Sequence, residues 1–81
     1  MDNRLTMLNI IISDREAAAK VNELLHVYSQ YVIGRMGLPY GQREVSIICV
    51  VLDMPAAEAS ALSGKLGMIP SVTAKMMTPK L

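Results

Sequence analysis

Few side chains in this chain could do chemistry, and they are scattered. Among its 81 residues there is one cysteine and one histidine. Cys49 sits mid-strand between apolar neighbours, where a thiol usually behaves as a small inert hydrophobe. His26 falls off the apolar stripe of a helical segment, beside Glu23 and Gln30, as a solvent-exposed residue. Neither a Cys–His nor a Ser–His–Asp set is available for nucleophilic catalysis, and four Cys/His ligands for zinc are lacking. Asp14 and Asp53 begin the two helical segments, where carboxylates serve as caps or dipole partners; acid–base work by the pair is the alternative.

The most distinctive run is residues 31–40, YVIGRMGLPY. It is not a phosphate loop, because it lacks the GxxxxGK spacing and precedes a hairpin rather than a helix. Arg35, flanked by Gly34 and Gly37, admits two readings. In one, the glycines allow close backbone packing or a bulge and the arginine decorates an edge. In the other, Arg35 near an oligomer seam meets an anionic ligand or a partner carboxylate. Asn9, the polar exception on an apolar strand, joins Gly34, Arg35 and Gly37 as candidate ligand- or interface-binding residues. Lys65, in the Ser63–Gly67 run, neutralises a helix C-terminus. No catalytic or metal-ligating residue is assigned, and no cofactor is named.

The elements that must position these residues follow from the apolar pattern. Residues 5–12 read as a strand apolar on both faces, with Leu8, Ile10 and Ile12 on one and Met7, Asn9 and Ile11 on the other. Ser13 and Glu16 match a capping box opening a helix over 14–29, whose stripe is Val21, Leu24, Leu25 and Tyr28, with Ala17 and Ala18 a turn above. Residues 31–38 form an edge strand, 39–43 a turn, and 45–52 a second strand apolar on both faces. Asp53, Met54 and Pro55 open an alanine-rich second helix that should approach its sheet closely. Gly67 follows it as a left-handed C′ residue, and Pro70 acts as a stop. Residues 71–78 form a second edge strand marked by Lys75.

The order β-α-β-β-α-β is the split β-α-β, ferredoxin-like pattern, an α+β fold with two helices on one face of a four-stranded antiparallel sheet. Strands one and three are central, since they are the two purely apolar ones. The halves echo each other, with Ile12-Ser13-Asp14 matching Val51-Leu52-Asp53. By that repeat, Leu8, Ile10 and Ile12 pair with Ile47, Cys49 and Val51 beneath the helices. The open face then carries Met7, Ile11, Ile48, Val50 and Leu52. Antiparallel sheets usually leave that face polar, and an exposed apolar one marks an interaction site.

Composition points the same way. One domain spanning residues 1–81 is expected, and a chain this short buries only roughly 60–65% of its unfolded surface. Disulfides, metals and oligomerisation are the usual supplements, and a single cysteine leaves oligomerisation. Hydrophobic residues make up 52% and aromatic ones only 4%, with mean hydropathy +0.34. Seven methionines suit core and interface filling. The net charge of +1 gives no steering toward nucleic acid. The N-terminal residues lack a signal-peptide pattern and the longest apolar run is too short for a membrane span, so a cytoplasmic protein is expected.

Three segments carry a family resemblance: 21–26 (VNELLH), 31–40 (YVIGRMGLPY) and 61–67 (ALSGKLG). They resemble the signature segments of the iron-only hydrogenase system regulators, over residues 4–75. The resemblance implies an ACT-like fold, similar also to the C-terminal ligand-sensing domain of nickel-responsive repressors, which assemble through their sheets. Those repressors bind nickel with several histidines and a cysteine and carry a ribbon-helix-helix segment. This chain has one of each ligand type on different elements and no residues left for such a segment, so nickel sensing and direct DNA binding are not expected. The expectation is a non-catalytic regulatory module, a homo-dimer or tetramer through the sheet face, binding a small molecule or protein partner and affecting transcription indirectly. The rivals are a small enzyme with an interface active site drawn from Asn9, Arg35, His26 and Asp14, and a hydrogenase assembly factor.

Overall fold

A computed structural model describes residues 3–80; Met1, Asp2 and Leu81 lie outside them, and with them the first two residues of the stretch judged to lack a signal peptide. The elements are β1 (Asn3–Ile12), α1 (Ala17–Val27), β2 (Val32–Tyr40), β3 (Val45–Pro55), α2 (Ala56–Gly67) and β4 (Val72–Met77). Single 3-10 turns, Ser29–Tyr31 and Gly41–Arg43, follow α1 and join β2 to β3. The strands form one antiparallel sheet in the order β2-β3-β1-β4. The apolar strands are central and the weaker ones are edges, as the ferredoxin-like pattern requires.

The core lies between the helices and one face of the sheet. Ala17, Val21 and Leu25 of α1, Tyr28 just after it, and Ala59, Leu62 and Leu66 of α2 are buried against Leu8, Ile10 and Ile12. The apolar stripe of α1 is therefore the expected one.

The phase of β3 differs from the expected one. Leu8 pairs with Val50 and Ile10 with Ile48, and directly opposed residues of an antiparallel pair point to the same side. Ile48, Val50 and Leu52 are thus beneath the helices, at 7%, 1% and 0% exposure. Ile47, Cys49 and Val51 take the open face, where they are half-buried. The internal repeat misled because the halves are not equal. Four residues separate β1 from α1, whereas β3 runs through Asp53 to Pro55 and α2 follows at once. The strand's phase is set by fully buried Met54 on one side and exposed Asp53 on the other.

Ends of elements also differ from expectation. The capping box does not form, and α1 begins at Ala17 without a side-chain cap. Ser13 instead bonds across the fold, its N–H and Oγ both donating to the Ser71 carbonyl at 2.9 and 3.2 Å. Asp14 does serve locally, its Oδ1 accepting the Glu16 N–H at 3.0 Å. Asp53 caps nothing; it lies in β3 opposite Leu5. Gly67 is the last residue of α2 rather than a left-handed C′ residue; the left-handed positions are Glu44 and Ser71, with φ of 55° and 69°.

Candidate functional site

Among the described residues, grooves flank the sheet on its helix side, and two of them gather polar side chains. The larger, about 510 Å³, lies between the β1–α1 connection and the β2–β3 hairpin. Its wall brings together Asp14, Arg15, Tyr40 and Glu44 over Ile12 and Ala18. The second, about 390 Å³, lies between α1 and the edge strand β2. Asn22, His26 and Ser29 line one side of it and Arg35 the other, over a floor of Leu25, Val32 and Val50.

Arg35 reaches this second groove because of strand pairing. It opposes Val50, and Val50 points at the helices, so the guanidinium rises on the helix side of the sheet rim. There a guanidinium nitrogen donates to Asn22 Oδ1 on α1. Asn22 and His26 stand four positions apart on α1 and hence on one face of it. A bulge between Val32 and Gly34 shifts the register of β2 just before Arg35. The bulge thus lies beside Gly34, whereas Gly37 pairs in regular register. The close-packing alternative does not hold, since a Cβ at Gly34 or Gly37 meets nothing within 4 Å.

The sequence candidates are not gathered into one site. Asn9 projects from the open face, opposite Cys49 and Lys75, on the other side of the sheet from Arg35. Gly34 opposes Val51 on that face, and Gly37 opposes Ile48 on the helix side. Asp14 belongs to the larger groove. Of the four residues considered for an interface active site, only Arg35 and His26 share a groove. Asn22 and Ser29 were missed; the signal available was that both fall on the His26 face of α1 and its continuation. Among the described residues no three His, Cys, Asp or Glu side chains form a set able to hold a metal ion.

The open face is mostly apolar, with Asn9, Thr73 and Lys75 among its polar members. Met7 and Ile11 are 36% and 45% exposed there, and Met36, Leu38 and Met77 are more than half exposed. The paired rows run Leu38–Ile47–Ile11–Thr73 and Met36–Cys49–Asn9–Lys75. Met7 and Ile11 are thus placed as expected, whereas Ile48, Val50 and Leu52 belong to the core.

Two contacts tie the helices together on the covered side. Tyr31 Oη donates to Glu58 Oε2 at 2.7 Å. The carboxylate holding its proton, with partial burial, keeps the Tyr31 phenol above its ordinary range. Lys65 Nζ donates to Tyr28 Oη at 3.1 Å and lies 5.5 Å from the ring centroid. Among the described residues no helix is long and apolar enough to cross a membrane.

These features define a ferredoxin-like α+β domain with an uncovered apolar sheet face and a polar groove at one rim. The chain belongs to the TM1266-like family, described as "Iron-only hydrogenase system regulator, putative", whose model matches residues 4–76. Among solved structures it is similar to the uncharacterized protein TM1266 from Thermotoga maritima, with 40% identity and a TM-score of 0.92, covering 98% of this chain and all of that one. The C-terminal domain of the MgtC protein from Mycobacterium tuberculosis shares the fold at 15% identity and a TM-score of 0.76, covering 95% of this chain and 88% of that one. So does a formyltetrahydrofolate deformylase from Pseudomonas putida, at 15% identity and a TM-score of 0.67, covering 93% of this chain but 29% of the enzyme. A search of curated proteins returns no match.

Proposed function

We propose that this chain is a non-catalytic, ACT-like regulatory module of the iron-only hydrogenase system, working in the cytoplasm as a homo-oligomer paired through the open face of its sheet. Family membership supports the regulatory role. The observation that carries the assembly is the apolar open face of Met7, Ile11, Met36, Leu38 and Met77. An area argument supports it. The chain exposes 5538 Å², whereas a folded monomer of 8.8 kDa exposes about 4,800 Å² by the surface–mass relation. The surplus is of the order that one partner buries in a standard interface, about 800 Å².

A net charge of +1 gives no strong steering toward nucleic acid, and the proposed module acts on transcription through a partner. Light scattering across a concentration series tests the assembly: a dimer or tetramer is expected, and a monomer at every concentration would overturn it. Deleting the gene in its host tests the regulation. Transcripts of the hydrogenase genes are expected to change; unchanged transcripts with lost hydrogenase maturation would point to an assembly factor instead.

A further inference from the structure

The rim groove between α1 and β2 lies on the helix side of the sheet, away from the open face, and its chemistry is one-sided. Its lining holds Arg35 and His26 and neither aspartate nor glutamate. Arg35 is bonded to a neutral acceptor, the Asn22 amide oxygen. That bond occupies one donor and orients the planar fork, whose other N–H groups have no partner among the described residues and suit the paired bonds a carboxylate prefers. Asn22, His26 and Ser29 add polar groups on the facing side. The floor is hydrocarbon: half-buried Val32 offers its accessible surface, above Leu25 and Val50, which are almost fully covered at 2% and 1% exposed. A volume of about 390 Å³ falls within the range of small-ligand sites, about 300–1,000 Å³.

We infer that this groove binds a small organic monocarboxylate, its carboxylate on Arg35 with His26 and Ser29 alongside, and its short aliphatic body against Val32. A single planar guanidinium fork matches one carboxylate, and the apolar floor has nothing to offer inorganic phosphate. The assignment gives the regulatory reading its ligand class and rests on that reading only for what binding would signal.

Amide NMR titrations of the full chain with hexanoate, hexanamide and inorganic phosphate, at constant ionic strength, test it. Hexanoate is expected to shift the Asn22, His26, Ser29 and Arg35 signals saturably. Hexanamide should bind more weakly by about tenfold or more, the difference a charge-assisted bond makes. Arg35→Gln should lose hexanoate affinity by a similar factor with its spectrum otherwise intact, and Arg35→Lys should retain part of it. Equal binding of hexanamide, equal competition by phosphate, shifts confined to the larger groove, or an unaffected Arg35→Gln would each overturn the assignment. Light scattering on the same samples separates the two ideas. An oligomer blind to hexanoate sinks the ligand site alone, and a monomer that binds it sinks the assembly alone.

Discussion

Placing an aspartate at Leu52 and, separately, at Ile47 asks which phase of β3 faces the core and which faces a second copy. Leu52 is fully buried. Truncating a leucine in such a place costs about 2–5 kcal/mol from lost transfer and a cavity. A carboxylate left there without a partner adds several kcal/mol more, of the order seen when buried pairs are broken. A domain of this size holds roughly 4–12 kcal/mol in all, at about 0.05–0.15 kcal/mol per residue. Leu52→Asp should therefore abolish the cooperative melt followed by circular dichroism. Ile47 is half-buried on the open face, opposite Ile11 and Leu38, where a carboxylate reaches water in the isolated chain. The cost there is the strand preference, about 1 kcal/mol, or a fall in Tm of about 4–8 °C.

Assembly is where Ile47→Asp should act. A symmetric seam would strip water from two unpaired carboxylates, so the dissociation constant should rise about a hundredfold or more. Light scattering alongside the melts reads this, at low and high concentration because assembly itself raises Tm. A wild-type melt for Leu52→Asp would refute the phase of β3. An undiminished oligomer for Ile47→Asp would refute the seam.

Three further outcomes follow from single contacts. Because the hydrogen bond to Glu58 raises the Tyr31 pKa, its contribution to stability is present below the unfolded phenol value, about 10, and is lost as pH rises through the higher folded value. Glu58→Gln should lower the alkaline midpoint of one tyrosine in an ultraviolet titration, and an unchanged curve would refute the bond. Cys49 faces the open side half-buried, so alkylation by iodoacetamide should slow as protein concentration rises; a rate independent of concentration would place the seam elsewhere. Lys65→Met removes the bond and the cation from the Tyr28 ring and should cost about 1 kcal/mol in a urea melt. No change in midpoint would show that the contact is solvent-screened.

The grouping of chemistry-bearing residues depended on elements far apart in sequence. Arg35 meets Asn22 only because β2 lies along α1 after the split β-α-β crossover, and no spacing of 13 residues advertises such a contact. Asn9, just as conspicuous in the sequence, ends on the opposite side of the sheet. What set them apart was the pairing of Arg35 with Val50 and of Asn9 with Cys49.

By itself the sequence determined the order of elements, the central places of β1 and β3, the buried stripe of α1 and the family. Each rests on local periodicity or on a contiguous motif, and neither needs a distant partner to be read. It did not determine the phase of β3, because Ile47 to Leu52 is apolar at every position and alternation carries no signal in such a run. Asp53 and Met54 held the clue, but only once the strand was known to extend through them. The tertiary structure decided that phase by putting Ile48, Val50, Leu52 and Met54 under the helices. In doing so it left Met7, Ile11, Ile47 and Cys49 on the face that water, or a second copy, must cover.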